Sequence, residues 1–291
     1  EKIKKIGLIF FFLFGISLIL VHFIGVDVKG SRRWLNLFFF RVQPIEFVKP
    51  FLILIIALIL NKEKISIKLR FFITIPVILS IIILLLAQPD YGQSLLIITI
   101  WMIMIFVSGI SLFFITSAGL IILGSMVFVL FLFKEKFFYI FDRLISWSSS
   151  LKISYQSEQA LNAIMSGGFF GKGIGEGILK EKVPEAHTDY VMSVIAEEYG
   201  IILIALIILV LLFLIIRIFI SANNSNDIFN KTTLIGLGCL LIVQSYINLG
   251  VTINILPSTG MPFPFVSYGG SSIVGSCFII GIILSITRKQ L

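Results

Sequence analysis

Three groups of residues in this chain combine ionisable side chains with spacing that could do chemistry at a membrane surface. The first joins Gly30-Ser-Arg-Arg-Trp-Leu-Asn36 to Gln43-Pro-Ile-Glu-Phe-Val-Lys49 and gathers Arg32, Arg33, Glu46 and Lys49. Glu46 and Lys49 are three apart, so on a helix they share a face and can pair. An interfacial ion pair with snorkelling arginines would use the same residues. The second is Pro184-Glu-Ala-His-Thr-Asp189, which runs straight into a long apolar stretch. Asp189 can cap the helix that follows. Glu197 and Glu198 come within three turns of it, and acids at membrane depth are functional candidates because of what they cost there. The third is Leu256–Ser272, with three prolines and three glycines in seventeen residues. Irregular backbone at membrane level must be buried in protein or line a wet cavity.

The elements that position these groups follow from composition. Of 291 residues 58% are hydrophobic and only 13% charged, about half the charge of a soluble domain. Ser94–Phe133 runs forty residues without an ionisable side chain. A membrane helix needs about 20 apolar residues, so this stretch crosses twice. The fold class expected is all-α, a polytopic membrane helix bundle forming a single integral-membrane domain over 1–291. Eight spans are expected near Ile6–Gly25, Pro44–Leu60, Phe71–Ala87, Ser94–Ser108, Ile110–Phe133, Tyr190–Ile216, Thr232–Ile253 and Gly270–Thr287. Gly109 is the only plausible break between the fourth and fifth.

Eight spans place both termini on one side, together with Asn61–Arg70, which carries four basic residues and one acid. The positive-inside rule makes that side cytoplasmic. Val26–Gln43, Gln88–Gln93, the large 134–189 loop and Asn254–Gly269 then lie outside. Lys29, Arg32, Arg33 and Arg41 break the rule there, so a task other than topology is expected of them. Phe137, Phe138, Ile140, Phe141, Leu144, Ile145 and Trp147 recur at helical spacing, as in a helix lying in the interface. A short helix is expected at Gln156–Met165, stopped by Gly167 and Gly168. The glycine-dense stretch through Gly177 reads as a flexible segment over a site. Without a preceding strand it is a poor nucleotide-binding loop.

The net charge of +8 would suggest nucleic acid in a soluble protein. Here the cations stand between apolar spans, so lipid head groups or phosphates suit them and nucleic acid does not. Cys239 and Cys277 lie in apolar spans, so neither a disulfide nor a metal site is implied.

The same clusters resemble the FtsW/RodA (SEDS) family of peptidoglycan glycan-strand polymerases. The resemblance runs through Val28-Lys-Gly-Ser-Arg-Arg-Trp34, Gln43-Pro-Ile-Glu46, Ala87-Gln-Pro-Asp-Tyr-Gly92, Ser166-Gly-Gly-Phe-Phe-Gly-Lys-Gly173, Pro184–Asp189, Ala196-Glu-Glu-Tyr-Gly200 and Ile255–Ser272. Pro184–Asp189 and Asn248-Leu-Gly-Val251 look more like the FtsW cell-division branch. Family members usually have ten spans, and the resemblance implies that the eight expected here correspond to the family's third onward. It also departs at Ser148–Ser150, where a proline-acid stretch is expected.

The resemblance implies lipid II as substrate and inverting transfer of its disaccharide at the outer face of the bacterial cytoplasmic membrane. It places the general base at Asp189, positioned by Lys49 and Glu46, with a nearby lysine keeping the aspartate ionised. Arg32, Arg33 and Lys172 are candidate phosphate holders by their chemistry. His187, Ser267 and Tyr268 fall in the matched motifs as substrate-binding candidates. No cofactor is demanded; a divalent cation, Mg2+ or Mn2+, could share the phosphates, but no ligand cluster requires one. Implied partners are a class B penicillin-binding transpeptidase and other divisome proteins. The rival functions are a lipid II flippase and a noncatalytic divisome scaffold. The absence of an internal repeat and the gathering of ionisable groups at one face count against a transporter.

Overall fold

A computed structural model describes residues 2–28, 31–37, 40–132, 147 and 155–288. The aromatic stretch expected as an interfacial helix lies outside the described residues, except for Trp147. Each of the eight anticipated apolar runs lies on a helix. These are α1 (Lys2–Ile24), α2 (Pro44–Leu60), α3 (Ile67–Ala87), α4 (Tyr91–Val107), α5 (Leu112–Leu132), α7 (Val191–Asn223), α8 (Ile228–Thr252) and α9 (Gly270–Thr287). The shorter α6 (Tyr155–Gly167) falls where Gln156–Met165 predicts it. By length and composition, α1, α3, α7, α8 and α9 can each cross a membrane, while Tyr91–Val107 and Leu112–Phe128 are shorter apolar helices. Gly109, at φ 84°, stands in the break between α4 and α5 as expected.

One feature of the backbone differs from the sequence reading. Val26–Gln43 is not a plain loop but a three-stranded antiparallel sheet of β1 (Val26–Val28), β2 (Ser31–Leu37) and β3 (Phe40–Val42), in that order. Val28 pairs with Ser31 and Leu37 with Phe40. Valine, tryptophan, leucine and phenylalanine suit a pleated, half-buried surface. β1 and β3 have three residues each, too few for a two-residue period to show, and the seven residues of β2, Ser-Arg-Arg-Trp-Leu-Asn-Leu, do not alternate cleanly.

The chain divides into two compact units, Glu1–Met126 with Arg217–Leu241 and Gly270–Leu291, and Val127–Ile216 with Ile242–Gly269. In the first, α2 is the axis. Pro44 opens it, where a missing N–H costs nothing, and α1, α3, α4 and α9 all pack against it. Its side chains are buried from Pro44 to Ala57, the charged pair included. α1, by contrast, buries only Gly7, Leu18 and Val21, which is the pattern of a helix facing lipid. Trp101 Nε1 donates to Thr74 Oγ1 at 3.0 Å and ties α4 to α3 inside this apolar packing. In the second unit, Ala160, Ala163, Val183, Ala186, Tyr190 and Val251 form a core under the Pro184–Asp189 turn.

Candidate functional site

In the first unit the charges meet at the start of α2. Lys49 Nζ donates to Glu46 Oε1 at 2.8 Å, with side chains 2% and 4% exposed. Gln93 Nε2, from the first turn of α4, donates to the same oxygen at 3.0 Å. Gln93 Oε1 is buried and has no partner among the described residues. Asp90 caps α4 by accepting from the Gln93 N–H at 3.4 Å, and stands 3.7 Å from Arg33 Nη1. Arg33 also donates through Nε to the Gln88 carbonyl at 3.4 Å and through Nη2 to the Pro89 carbonyl. Burial pushes the Asp90 carboxyl above its ordinary range; Arg33 and the Gln93 N–H act against that, as Lys49 does more weakly, while Glu46 reinforces it. Arg33 stands against Asp90 and Lys49 against Glu46, the paired arrangement in which buried ionisable groups are tolerated.

α9 closes on this cluster. Ser271 Oγ accepts the Gln43 N–H at 2.9 Å, just before α2 begins. A Cβ on Gly275 would lie 2.8 Å from the Glu46 carbonyl oxygen, so the approach of the two helices requires glycine there.

The second unit holds Asp189. Its turn is fixed through three successive carbonyls. That of His187 accepts the Tyr268 N–H at 2.9 Å, that of Thr188 accepts Ser267 Oγ at 2.6 Å, and that of Asp189 accepts Asn248 Nδ2 at 2.8 Å. The proline-rich segment is held in turn: Asn248 Nδ2 reaches the Met261 carbonyl at 2.7 Å, and Gln244 Nε2 the Pro262 carbonyl at 3.0 Å. Ser267 Oγ also accepts the Phe263 N–H at 2.8 Å. The Asp189 backbone is therefore braced by residues from α8 and from Leu256–Ser272, while the residue itself is half-buried.

The glycine-dense stretch is pinned, not loose. α7 is interrupted at Gly200, with φ 79° and ψ 175°. Across the break, the N–H groups of Lys172 and Gly173 donate to the Glu197 and Glu198 carbonyls, at 2.9 and 3.0 Å. The Gly168 and Phe169 carbonyls accept from Ile201 and Ile202, at 3.0 and 3.4 Å. The segment thus replaces the hydrogen bonds that the broken helix loses, as backbone at this depth demands. The Glu197 carboxylate is fully buried and accepts the Leu179 and Lys180 N–H groups at 2.9 and 2.7 Å. Lys172 Nζ lies 3.7 Å from it, and Lys180 pairs with Glu198.

The anticipated residues therefore fall into distinct situations. Glu46 and Lys49 are brought together. Arg33 is engaged by Asp90 and two carbonyls, whereas Arg32 is exposed, 4.0 Å from Asp27. Lys172 is held beside Glu197. Ser267 uses its hydroxyl on the backbone, and Tyr268 contributes its N–H while the residue is 80% exposed. Gln93, Asp90, Gln244 and Asn248 were missed as positioning groups. A buried amide gives no periodic signal, although Asp90 and Asn248 stand in stretches that carry the family resemblance. Among the described residues no three His, Cys, Asp or Glu side chains gather to hold a metal. They do not fit an all-protein cation cage.

Comparison with known proteins adds to this geometry. Residues 1–291 match the FTSW_RODA_SPOVE family model, described as cell cycle protein. Proteins named probable peptidoglycan glycosyltransferase FtsW are similar throughout. That of Trichlorobacter lovleyi is 36% identical over 288 residues, covering 97% of this chain and 75% of that protein. That of Allochromatium vinosum is 38% identical, covering 92% and 69%. The crystal structure of the Thermus thermophilus rod shape determining protein RodA superposes with TM-score 0.72 at 26% identity, covering 99% of this chain and 79% of that one. A chain from a peptidoglycan synthase complex, solved for the structural coordination of polymerization and crosslinking, gives 0.79 at 25%, covering 99% and 82%. With its whole length matched and its curated relatives above 30% identity, this multi-pass membrane protein belongs to the FtsW/RodA/SpoVE family.

Proposed function

We propose that this chain is a peptidoglycan glycosyltransferase that polymerises lipid II, with Asp189 as its general base. The observation that carries the reading is the bracing of the Asp189 turn through three consecutive carbonyls. A capping role alone would not call for such support, whereas a base must be held within hydrogen-bond reach of the proton it takes. Family membership and relatives named as glycosyltransferases support the same reading.

The reaction balances simply. The sugar 4-hydroxyl of one lipid II attacks the anomeric carbon of another; the new C–O bond forms as the bond to pyrophosphate breaks. The hydroxyl proton goes to the Asp189 carboxylate, and the bonding electron pair leaves with the pyrophosphate. In-line displacement turns the donor's α-linkage into β. Pyrophosphate is a good leaving group, so the second carboxyl that glycoside hydrolysis uses as acid is not needed. Glu46 and Lys49 support this reaction, and Arg32 and Lys172 are the cations with exposure enough to meet phosphate. His187 and Tyr268, exposed beside Asp189, are assigned to the substrate. Ser267 acts through the backbone it holds.

The site faces outward from the cytoplasmic membrane in this reading, and the working partner is a class B penicillin-binding transpeptidase in the division machinery. The likeness to a chain of a peptidoglycan synthase complex supports such a partner. The test is polymer formation from purified lipid II in detergent, with the transpeptidase present. Wild type should make glycan chains and Asp189→Asn should not, while remaining folded because asparagine also caps helices. Near-normal polymer from Asp189→Asn would leave the aspartate only a capping role. If wild type makes none, and liposomes carrying it translocate lipid II, the protein is a flippase.

A further inference from the structure

The splice at Gly200 sets a depth. Ile201 and Ile202 open sixteen uncharged residues, Ile201–Ile216, within a helix whose mean hydropathy reaches 3.5. Such a run lies in hydrocarbon, and its first residues therefore stand at the hydrocarbon boundary. The two residues are themselves 45% and 51% exposed, as lipid-facing residues are. The Gly168 and Phe169 carbonyls are bonded to these two N–H groups, so Phe169 and Phe170 are tied to the same level. The glycines that permit it cannot be replaced cheaply. A Cβ at Gly200 would meet the Phe169 carbonyl oxygen at 2.1 Å, and one at Gly171 the Glu198 carbonyl oxygen at 2.2 Å.

At that level Phe169 and Phe170 are 72% and 83% exposed, and Met165, at the end of α6, is 71% exposed. Two adjacent phenylalanines turned outward from a rigidly bonded segment are out of place in water. They suit the boundary between acyl chains and head groups, where aromatic rings anchor proteins. Lys172 follows two residues later, beside Glu197, a cation of the kind that suits the head-group side of such a boundary.

We propose that Met165, Phe169 and Phe170 form a wedge that inserts into the bilayer leaflet beside α7, its occupants being phospholipid acyl chains. The wedge belongs to the second unit alone and does not depend on the glycosyltransferase reading. It gives the glycine-rich segment two attachments, the broken helix on one side and the lipid on the other.

The experiment uses the full chain in nanodiscs of phosphatidylcholine and phosphatidylglycerol, with Cys239→Ala and Cys277→Ala to clear the background. A nitroxide is placed in turn at Phe169→Cys, Phe170→Cys, the exposed loop site Glu176→Cys and the mid-span site Val210→Cys. Collision rates with oxygen and with a water-soluble nickel chelate are then compared. The oxygen-to-nickel ratio at 169 and 170 should be several-fold above that at 176 and approach that at 210. A ratio no higher than at 176 would overturn the wedge and leave these rings to water or to a protein partner. As a second reading that keeps both cysteines, the added fluorescence of Phe170→Trp should be quenched by lipids brominated on their acyl chains. Unquenched emission would count against the proposal equally.

Discussion

At the scale of single residues, the Glu46–Lys49 pair poses the sharpest question, because one contact can serve both stability and chemistry. Both side chains are almost fully buried, and Gln93 shares the carboxylate. Removing one member of a buried pair leaves an uncompensated charge, costing about 3–5 kcal/mol, whereas replacing both with neutral groups of similar size costs far less. Lys49→Ala should therefore lower the denaturation temperature strongly, and Glu46→Gln with Lys49→Met should restore much of it, as double-mutant coupling in thermal melts would show. If the pair also serves the reaction, the stable double variant should still polymerise at least about 10²-fold more slowly, the usual loss when an oriented ion near developing charge is removed. A double variant that is both stable and fully active would make the pair purely structural. Arg33 belongs to the same scale. Its bonds to two carbonyls and to Asp90 use its planar fork, so Arg33→Lys should weaken the hold of β2 on the turn before α4 despite the retained charge. Hydrogen exchange of the sheet amides measures this, with faster exchange expected.

At the scale of elements, the break in α7 is the feature with the most consequence. Gly200 combines a backbone conformation open only to glycine with a carbonyl 2.1 Å from where a Cβ would stand. Gly200→Ala should cost at least about 1–3 kcal/mol from backbone strain alone, and more from the clash with Phe169. Gly281→Ala in α9 is the matched control. It is helical and has nothing within 4 Å of its would-be Cβ, so it should be neutral or stabilising by up to about 1 kcal/mol. Thermal melts of both variants in one detergent decide the contrast. Equal melting would mean that the splice is not needed to hold the strand of glycines in place.

At the scale of the whole molecule, alternation of the spans makes a topological prediction. Reporter fusions after Lys62 and within Asn223–Lys231 should be active only in the cytoplasm, and one after Lys182 only outside. The basic excess of Asn61–Arg70 motivates the assignment. A reporter after Lys182 that is active only in the cytoplasm would remove Asp189 from the face where the proposed reaction needs it.

What could be read from residues alone is the part that depends on composition and local pattern. Long uncharged runs have one physical solution in lipid, and so the helices, the Gly109 break and the short helix near Gln156 were legible. The i, i+3 spacing of Glu46 and Lys49 likewise foretold a contact that the helix itself creates. Tertiary structure decided the rest. Two three-residue strands and a seven-residue one without clean alternation carry too little periodicity to show, and the sheet over Val26–Val42 depends on pairing between them. Glycines that read as flexibility are instead demanded by a broken helix whose orphaned N–H and C=O groups they approach. That requirement exists only once Gly168–Gly173 and Glu197–Ile202 lie side by side. The same holds for Asp189. Its place in a motif was visible, but the partners that brace it, Asn248, Ser267 and Tyr268, are some sixty to eighty residues away in the chain. Hydrogen bonds over that distance are set by packing, which no local pattern encodes.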